Sequence, residues 1–257
     1  MLLKRKTSAE TLKLQEKYGV PYLVFPSLEN TGLVRHAFST RLGGCSTGDL
    51  ATMNLSSTRG DDPENVKENF RRFGAAVGFD PKDLVLSLQT HTTNVRLVTE
   101  EDRGKGFTRP RDYKDVDGLI TNVPGLVLAT FYADCVPLYF VDPVHRAIGL
   151  SHSGWRGTVN RMGEVTLQRM KEAFGTRPSD VWTAIGPSIC QDCYEVSEDV
   201  AQEFISAFEG WADNRLLYRK ENGKYQLNLW RANELVLLES GVPKDRIAVT
   251  DICTCCN

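Results

Sequence analysis

Three side chains of the types that hold zinc sit far apart in this sequence, each beside an apolar run that reads as a strand. They are His91 in QTH (89–91), Cys135 in ADC (133–135) and His152 in SHSGWRG (151–157). The 257 residues include only four histidines and seven cysteines, so two imidazoles placed either side of a thiol are informative. Imidazole and thiolate are donors that zinc takes, and a set of three protein donors leaves a fourth position for water or substrate, as catalytic sites do. Only a formed sheet can bring donors so far apart in sequence onto one ion.

Other groupings compete with this one. Cys190-x-x-Cys193 together with Cys253-x-Cys255-Cys256 offers two thiol pairs, suited to a closed zinc site or a redox couple. Its second half falls on the last residues, where order is weakest. A His₂Cys set also describes blue-copper centres with a weak axial methionine; Met162 is the nearest candidate but falls on a predicted helix. A multicopper oxidase needs more imidazoles than four. Alternatively Cys135 is a nucleophile, with His152 or His91 as base and Asp134 as orienter. Neighbours such as Asp134 and Cys135 point to opposite sides of a regular strand, which weighs against a triad using both. His36 and His145 show no partner pattern and read as structural.

Anion recognition has its own candidates. The stretch 38–48 carries Arg41 with Gly43, Gly44 and Gly48, and exposed N–H groups beside a guanidinium suit phosphate or carboxylate. No P-loop or G-x-G-x-x-G pattern is present, and a plain glycine turn with an exposed Arg41 fits the same residues. Arg59 and Arg156 are further anion candidates, Trp155 can stack on a planar ring or fill core, and 186–189 reads as a pocket-lining loop.

The elements that must position these groups follow from periodicity. Asp61, Asp62, Pro63 and Glu64 open a helix over 61–79, with Val66, Phe70, Phe73 and Val77 on its apolar face. Short β-rich runs follow at 84–88, 95–98, 118–121, 126–131, 137–141 and 147–150, several continuously apolar as in strands covered on both faces. A helix is expected over 158–174 with Thr158 as its cap, then a strand at 181–185, helices at 197–209 and 228–240, and a strand at 247–249. Strands mixed with helices, without linker or repeat, predict one α/β (α+β) domain over 1–257, a layered sandwich of mixed sheets flanked by helices. The polar, Gly/Pro-punctuated stretch 101–116 reads as a mobile loop beside the site.

Composition narrows the class. A formal net charge of −2 and no basic block argue against a dedicated nucleic-acid binder. No run of 18 apolar residues exists to span a membrane, and residues 1–6 lack the apolar run of a leader. An odd cysteine count in a chain large enough not to need staples points to free or metal-bound thiols in a reducing cytoplasm.

Long stretches of the chain carry a resemblance. HAFSTRLGGCS (36–46), MNLSSTRGDDPENVKENFRRF (53–73), LSLQTHTTNV (86–95), DGLITNVPGLVLATFYADCVPLYFVDP (117–143), IGLSHSGWRGT (148–158) and AIGPSICQDCYEV (184–196) are similar to the laccase-domain (YfiH-type) proteins. That family, once called multicopper polyphenol oxidases, is described as zinc-dependent purine nucleoside phosphorylases that also deaminate adenosine. The resemblance implies zinc at His91, Cys135 and His152, with a purine nucleoside pocket beside it. Adenosine, inosine and 5′-methylthioadenosine are the implied substrates, with inorganic phosphate. Deamination needs a carboxylate to move protons, for which Asp134 is the first choice. Phosphorolysis needs an anion clamp, drawn from Arg41, Arg59 and Arg156, and Asn54 is a candidate partner for ribose or base. Family members usually continue past the CT-x-C segment into a short Arg-containing tail, whereas this sequence stops at Asn257. Copper-dependent phenol oxidation and a non-catalytic, zinc-stapled binding module are the competing readings.

Overall fold

The computed structural model describes residues 3–211 and 213–257; Met1 and Leu2, part of the segment read above for a leader, lie outside them. The chain opens with β1 (Lys13–Lys17), β2 (Val20–Val24), α1 (Pro26–Glu29), β3 (Phe38–Ser39) and α2 (Pro63–Val77). Six strands follow: β4 (Leu84–Leu86), β5 (Val95–Leu97), β6 (Gly118–Thr121), β7 (Val127–Ala129), β8 (Val136–Asp142) and β9 (Ala147–Ser153). Next come α3 (Trp155–Val159), α4 (Met162–Phe174), β10 (Trp182–Ile185), β11 (Glu195–Val196) and α5 (Glu198–Ala207). The last elements are β12 (Leu217–Arg219), β13 (Tyr225–Leu227), α6 (Leu229–Glu239) and β14 (Ile247–Val249).

The architecture is α/β, with mixed sheets flanked by helices. A six-stranded sheet in the order β14-β10-β8-β9-β6-β5 forms the centre. Its middle pairings are antiparallel and its two outer ones, β10 with β14 and β5 with β6, are parallel. Every residue of β8 is buried, as a continuously apolar strand between two layers requires. One face packs Leu138 and Phe140 against Leu167 and Met170 of α4, Phe204 of α5 and Leu235 and Val236 of α6. The other packs Tyr139 and Val141 against Leu12, Leu23, Phe25 and Leu28 of the N-terminal layer.

Helix α2 starts as its sequence predicts: the Asp62 side chain accepts the Glu64 N–H at 2.9 Å, and Pro63 takes the first helical position. The helix expected over 158–174 is two helices, α3 and α4, separated by Arg161 in the left-handed region at φ 59°. Arg161 is held by ion pairs to Glu164 and, across the fold, to Glu239 of α6. Thr158 is no cap. Its buried hydroxyl bonds back to the Gly154 carbonyl and meets Ser153 and Asn233.

The stretch 101–116 is tied to the fold rather than loose. Asp102 is buried and paired with Arg96 and Lys105, Lys105 also reaches Asp112, and the Tyr113 hydroxyl donates to the Leu86 carbonyl. The hairpin β1–β2 and the small sheet β11-β13-β12 were not expected from the sequence, because their runs are short and their polarity is mixed.

Candidate metal centre

His91, Cys135 and His152 come together: each offers one donor atom, and the three atoms lie within 4.8 Å of one another. Cys135 Sγ stands 3.9 Å from His91 Nε2, and the two imidazole rings meet nearly edge to face, 4.9 Å between centroids. Sheet register explains the meeting. In the β8–β9 hairpin Val136 pairs with Ser153 and Pro137 with His152, so the residue entering β8, Cys135, faces Gly154 as the chain leaves β9. His152 thus lies within a strand that runs to Ser153, rather than just past one. His91 belongs to the loop between β4 and β5.

A residue the sequence reading missed organises this loop. Asp117 is buried at the entrance to β6, and its carboxylate accepts the backbone N–H groups of Thr90, His91 and Thr92, each at 3.0 Å. It also accepts the Thr92 hydroxyl and lies 2.8 Å from His152 Nδ1. The cage of donors fixes the loop with His91 at φ 66°, a conformation uncommon for a side chain other than glycine. Burial pushes the Asp117 carboxyl up, but His152 and the Thr90 and Thr92 donors outweigh it and hold it at about 2. Burial likewise pushes His152 down, and Asp117 and Cys135 more than reverse that, raising it to about 9. With Nδ1 engaged by Asp117, Nε2 is the atom left to face Cys135, and the three donors could hold a divalent cation. The only sequence signal for Asp117 is an acid directly before a glycine-led strand.

Burial grades across the centre. His152 is buried, Cys135 half-buried and His91 exposed, which leaves one side approachable. Close approach elsewhere is extreme. A Cβ added at Gly154 would stand 2.9 Å from His91 Cδ2 and 3.1 Å from Cys135 Sγ, so glycine is the residue that fits. A groove of about 1190 Å³ opens beside the three donors, with Phe38, Arg59, Phe107, Phe131 and Tyr132 among its walls. The Tyr132 ring packs on that of His152, 5.7 Å between centroids, and the Gln89 amide grips the Phe131 backbone through two hydrogen bonds.

The remaining sequence candidates divide. Arg59 lines the groove and makes no ion pair among the described residues. Asp134 lines it too, but one carboxylate oxygen accepts the Thr254 hydroxyl at 2.6 Å. The carboxylate bonded to His152 is Asp117 and not Asp134, so a triad of Cys135, His152 and Asp134 is not assembled. Asn54 lines the groove with its amide engaged inside the protein: Nδ2 donates to the Ser56 carbonyl and Asp61, and Oδ1 accepts the Ser56 N–H.

Arg41 is exposed and does not line the groove. The glycine stretch after it is a packed turn rather than an anion cradle. Its Gly44, Cys45 and Ser46 N–H groups go to Thr52 and Asn69 within the protein, and a Cβ on Gly44 would meet the Thr52 carbonyl at 2.1 Å. Trp155 is half-buried on the main core, with the Arg156 guanidinium over its ring at 4.3 Å; neither lines the groove. Burial pushes the Tyr194 phenol up to about 12, Cys135 and Asp134 add to the shift, and Arg156 opposes it.

His36 and His145 are structural: His36 Nε2 accepts the Phe25 N–H, and His145 Nδ1 meets the buried Asp142. Two imidazoles remain for the centre, too few for a multicopper cluster. No helix among the described residues is long and apolar enough to cross a membrane.

The sequence model of the family described as "Multi-copper polyphenol oxidoreductase laccase" matches residues 35–257. A protein named purine nucleoside phosphorylase from Bacteroides thetaiotaomicron is 38% identical over 234 residues, covering 90% of this chain and 86% of its own. A protein named adenosine deaminase, from an unknown prokaryotic organism, is 33% identical over 222 residues, covering 86% and 82%. The crystal structure of the Bacillus licheniformis hypothetical protein YfiH superposes with a TM-score of 0.86 at 30% identity, covering 95% of this chain and 90% of that one.

Proposed function

We propose that this chain, which belongs to the multi-copper polyphenol oxidoreductase laccase family, is a zinc-dependent purine nucleoside phosphorylase that also deaminates adenosine. The observation that carries the proposal is the convergence of His91, Cys135 and His152 from three separate segments at a solvent-approachable point beside a groove. Relatives named for phosphorolysis and for deamination support both halves of the reading.

The donor set fits zinc: two imidazoles and a thiolate with one side open. A zinc ion held by His91, Cys135 and His152 supplies Lewis acidity to the site. Asp117 keeps the His152 Nδ1 proton in place and so presents Nε2 to the site. Phe38, Phe131 and Tyr132 give the groove flat apolar walls suited to a purine. Arg59 lines the groove without an ion pair among the described residues, as do Arg35, Arg111 and Arg146, and is the guanidinium assigned to hold inorganic phosphate for attack at C1′ of the ribose. Asp134, beside Cys135, carries protons between base and solvent when ammonia leaves C6. The enzyme works in a reducing cytoplasm, where its thiols remain available to metal.

Purified protein incubated with adenosine, inosine or 5′-methylthioadenosine is expected to release free base only when phosphate is present, and to release ammonia from adenosine without it. His91→Ala, Cys135→Ala or His152→Ala should lower both rates by at least about 10³-fold, the several kcal/mol that a catalytic metal contributes. Base release at full rate from metal-stripped protein would end the zinc assignment, and turnover of phenols that tracks copper loading would replace it with oxidation.

A further inference from the structure

Four of the other six cysteines also converge. Cys190, Cys193, Cys253 and Cys256 bring their four sulfurs within 4.8 Å of one another, although the two pairs are some sixty residues apart. Cys193 Sγ and Cys256 Sγ are 3.5 Å apart. In a tetrahedral zinc–thiolate site with Zn–S near 2.3 Å, sulfurs are separated by about 3.8 Å, close to this spacing and well beyond a disulfide bond of about 2.05 Å.

We propose that these four cysteines form a second, closed tetrahedral site for zinc, sharing no donor with the centre at His91, Cys135 and His152. The donor set is all sulfur, with the C-x-x-C spacing of structural sites on one side. Cys190 and Cys253 are buried and the other two half-buried, so all four positions are filled by protein and none faces the groove. The surroundings suit thiolates. The Cys190 N–H donates to Cys253 Sγ at 3.2 Å, a bond that a thiolate accepts more strongly than a thiol. Binding replaces four thiol protons by one Zn²⁺ and releases those protons to solvent. No oxidant is required.

The site has a structural task. The Ile189 N–H, one residue before Cys190, donates to the Asp134 carbonyl at 3.0 Å, and the Thr254 hydroxyl, one residue after Cys253, donates to the Asp134 carboxylate at 2.6 Å. Both arms of the thiol cluster therefore hold the residue next to Cys135. An ion at the four sulfurs would clamp the C-terminal segment to the 190–193 turn and thereby set the position of Asp134 and Cys135.

The test is zinc content per chain after zinc-replete expression, combined with zinc K-edge absorption. Wild type is expected to hold about two zinc ions per chain. Cys193→Ser/Cys256→Ser and His91→Ala/His152→Ala should each hold about one. The histidine double variant leaves the thiols untouched, and its absorption spectrum should show four sulfurs near 2.3 Å. A histidine double variant without zinc, or with nitrogen or oxygen around its zinc, overturns the proposal. So does an intact mass reduced by about 2 Da for each bond of a disulfide-paired cluster. Zinc retained by the histidine variant and lost from the cysteine variant supports the tetrathiolate site even if the groove proves inactive, so the two readings fail separately.

Discussion

At the scale of single residues, the centre depends on groups that bind nothing themselves. Asp117 holds three consecutive N–H groups of the His91 loop and the Nδ1 face of His152 at once. Asp117→Asn turns one acceptor oxygen into an amide NH2 donor that faces other donors, and it removes the charge that fixes the imidazole. A 10- to 100-fold loss of zinc affinity is expected, on the order seen when partners of metal-bound histidines are removed. Chelator competition measures it, and unchanged affinity would rule out the role. Gly154→Ala tests the opposite side. Its methyl group presses on both His91 and Cys135, so kcat/KM should fall on the order of 10- to 100-fold while the thermal midpoint stays within a few degrees. Full activity would mean that the two donors can part without consequence. The convergence of His91, Cys135 and His152 could be read in sequence because histidines and cysteines are scarce and these three sit beside apolar runs. Asp117 could not, because an aspartate before a strand looks the same whether it faces water or an imidazole.

At the scale of elements, a buried ionic knot holds the 101–116 stretch beside the groove. Burial raises the Asp102 carboxyl, but Lys105, the Thr99 N–H and Arg96 outweigh it and hold it at about 2 against an ordinary 3.8. A depressed carboxyl stabilises the fold above its unfolded value, so this contribution is present above about pH 4 and is lost as pH falls toward 2. The gap in urea midpoint between wild type and Asp102→Asn should therefore narrow between pH 5 and pH 2.5. A gap that stays constant would assign the stability elsewhere. Element types followed from the pattern wherever a long apolar face existed, as in α2, α6 and β8. The break between α3 and α4 did not, because Arg161 adopts its left-handed geometry through Glu239, a partner distant in sequence. The Thr158 hydroxyl was read as a cap when its partners, Ser153 and Asn233, come together only in the folded core.

At the scale of the whole molecule, the α/β class and the mixed sheet were legible from alternating strands and helices, whereas strand order was not. The sheet places β8 beside β9 and β10, and β6 beside β9, so that Asp117, Cys135 and His152 meet at one end. No local pattern encodes that adjacency. The β8–β9 ladder runs from Asp142 opposite Ala147 at its turn to Val136 opposite Ser153 at the metal end. The hairpin thus works as a ruler, with its zero mark at the turn held by Asp142, His145 and Thr176 and its reading taken where thiol and imidazole face each other. Because side chains alternate along a strand, a slip of one residue at the turn would swing His152 through the sheet to its far side. Chemistry at one tip of the ladder is in this sense gauged by three residues at the other, roughly 20 Å away by strand rise.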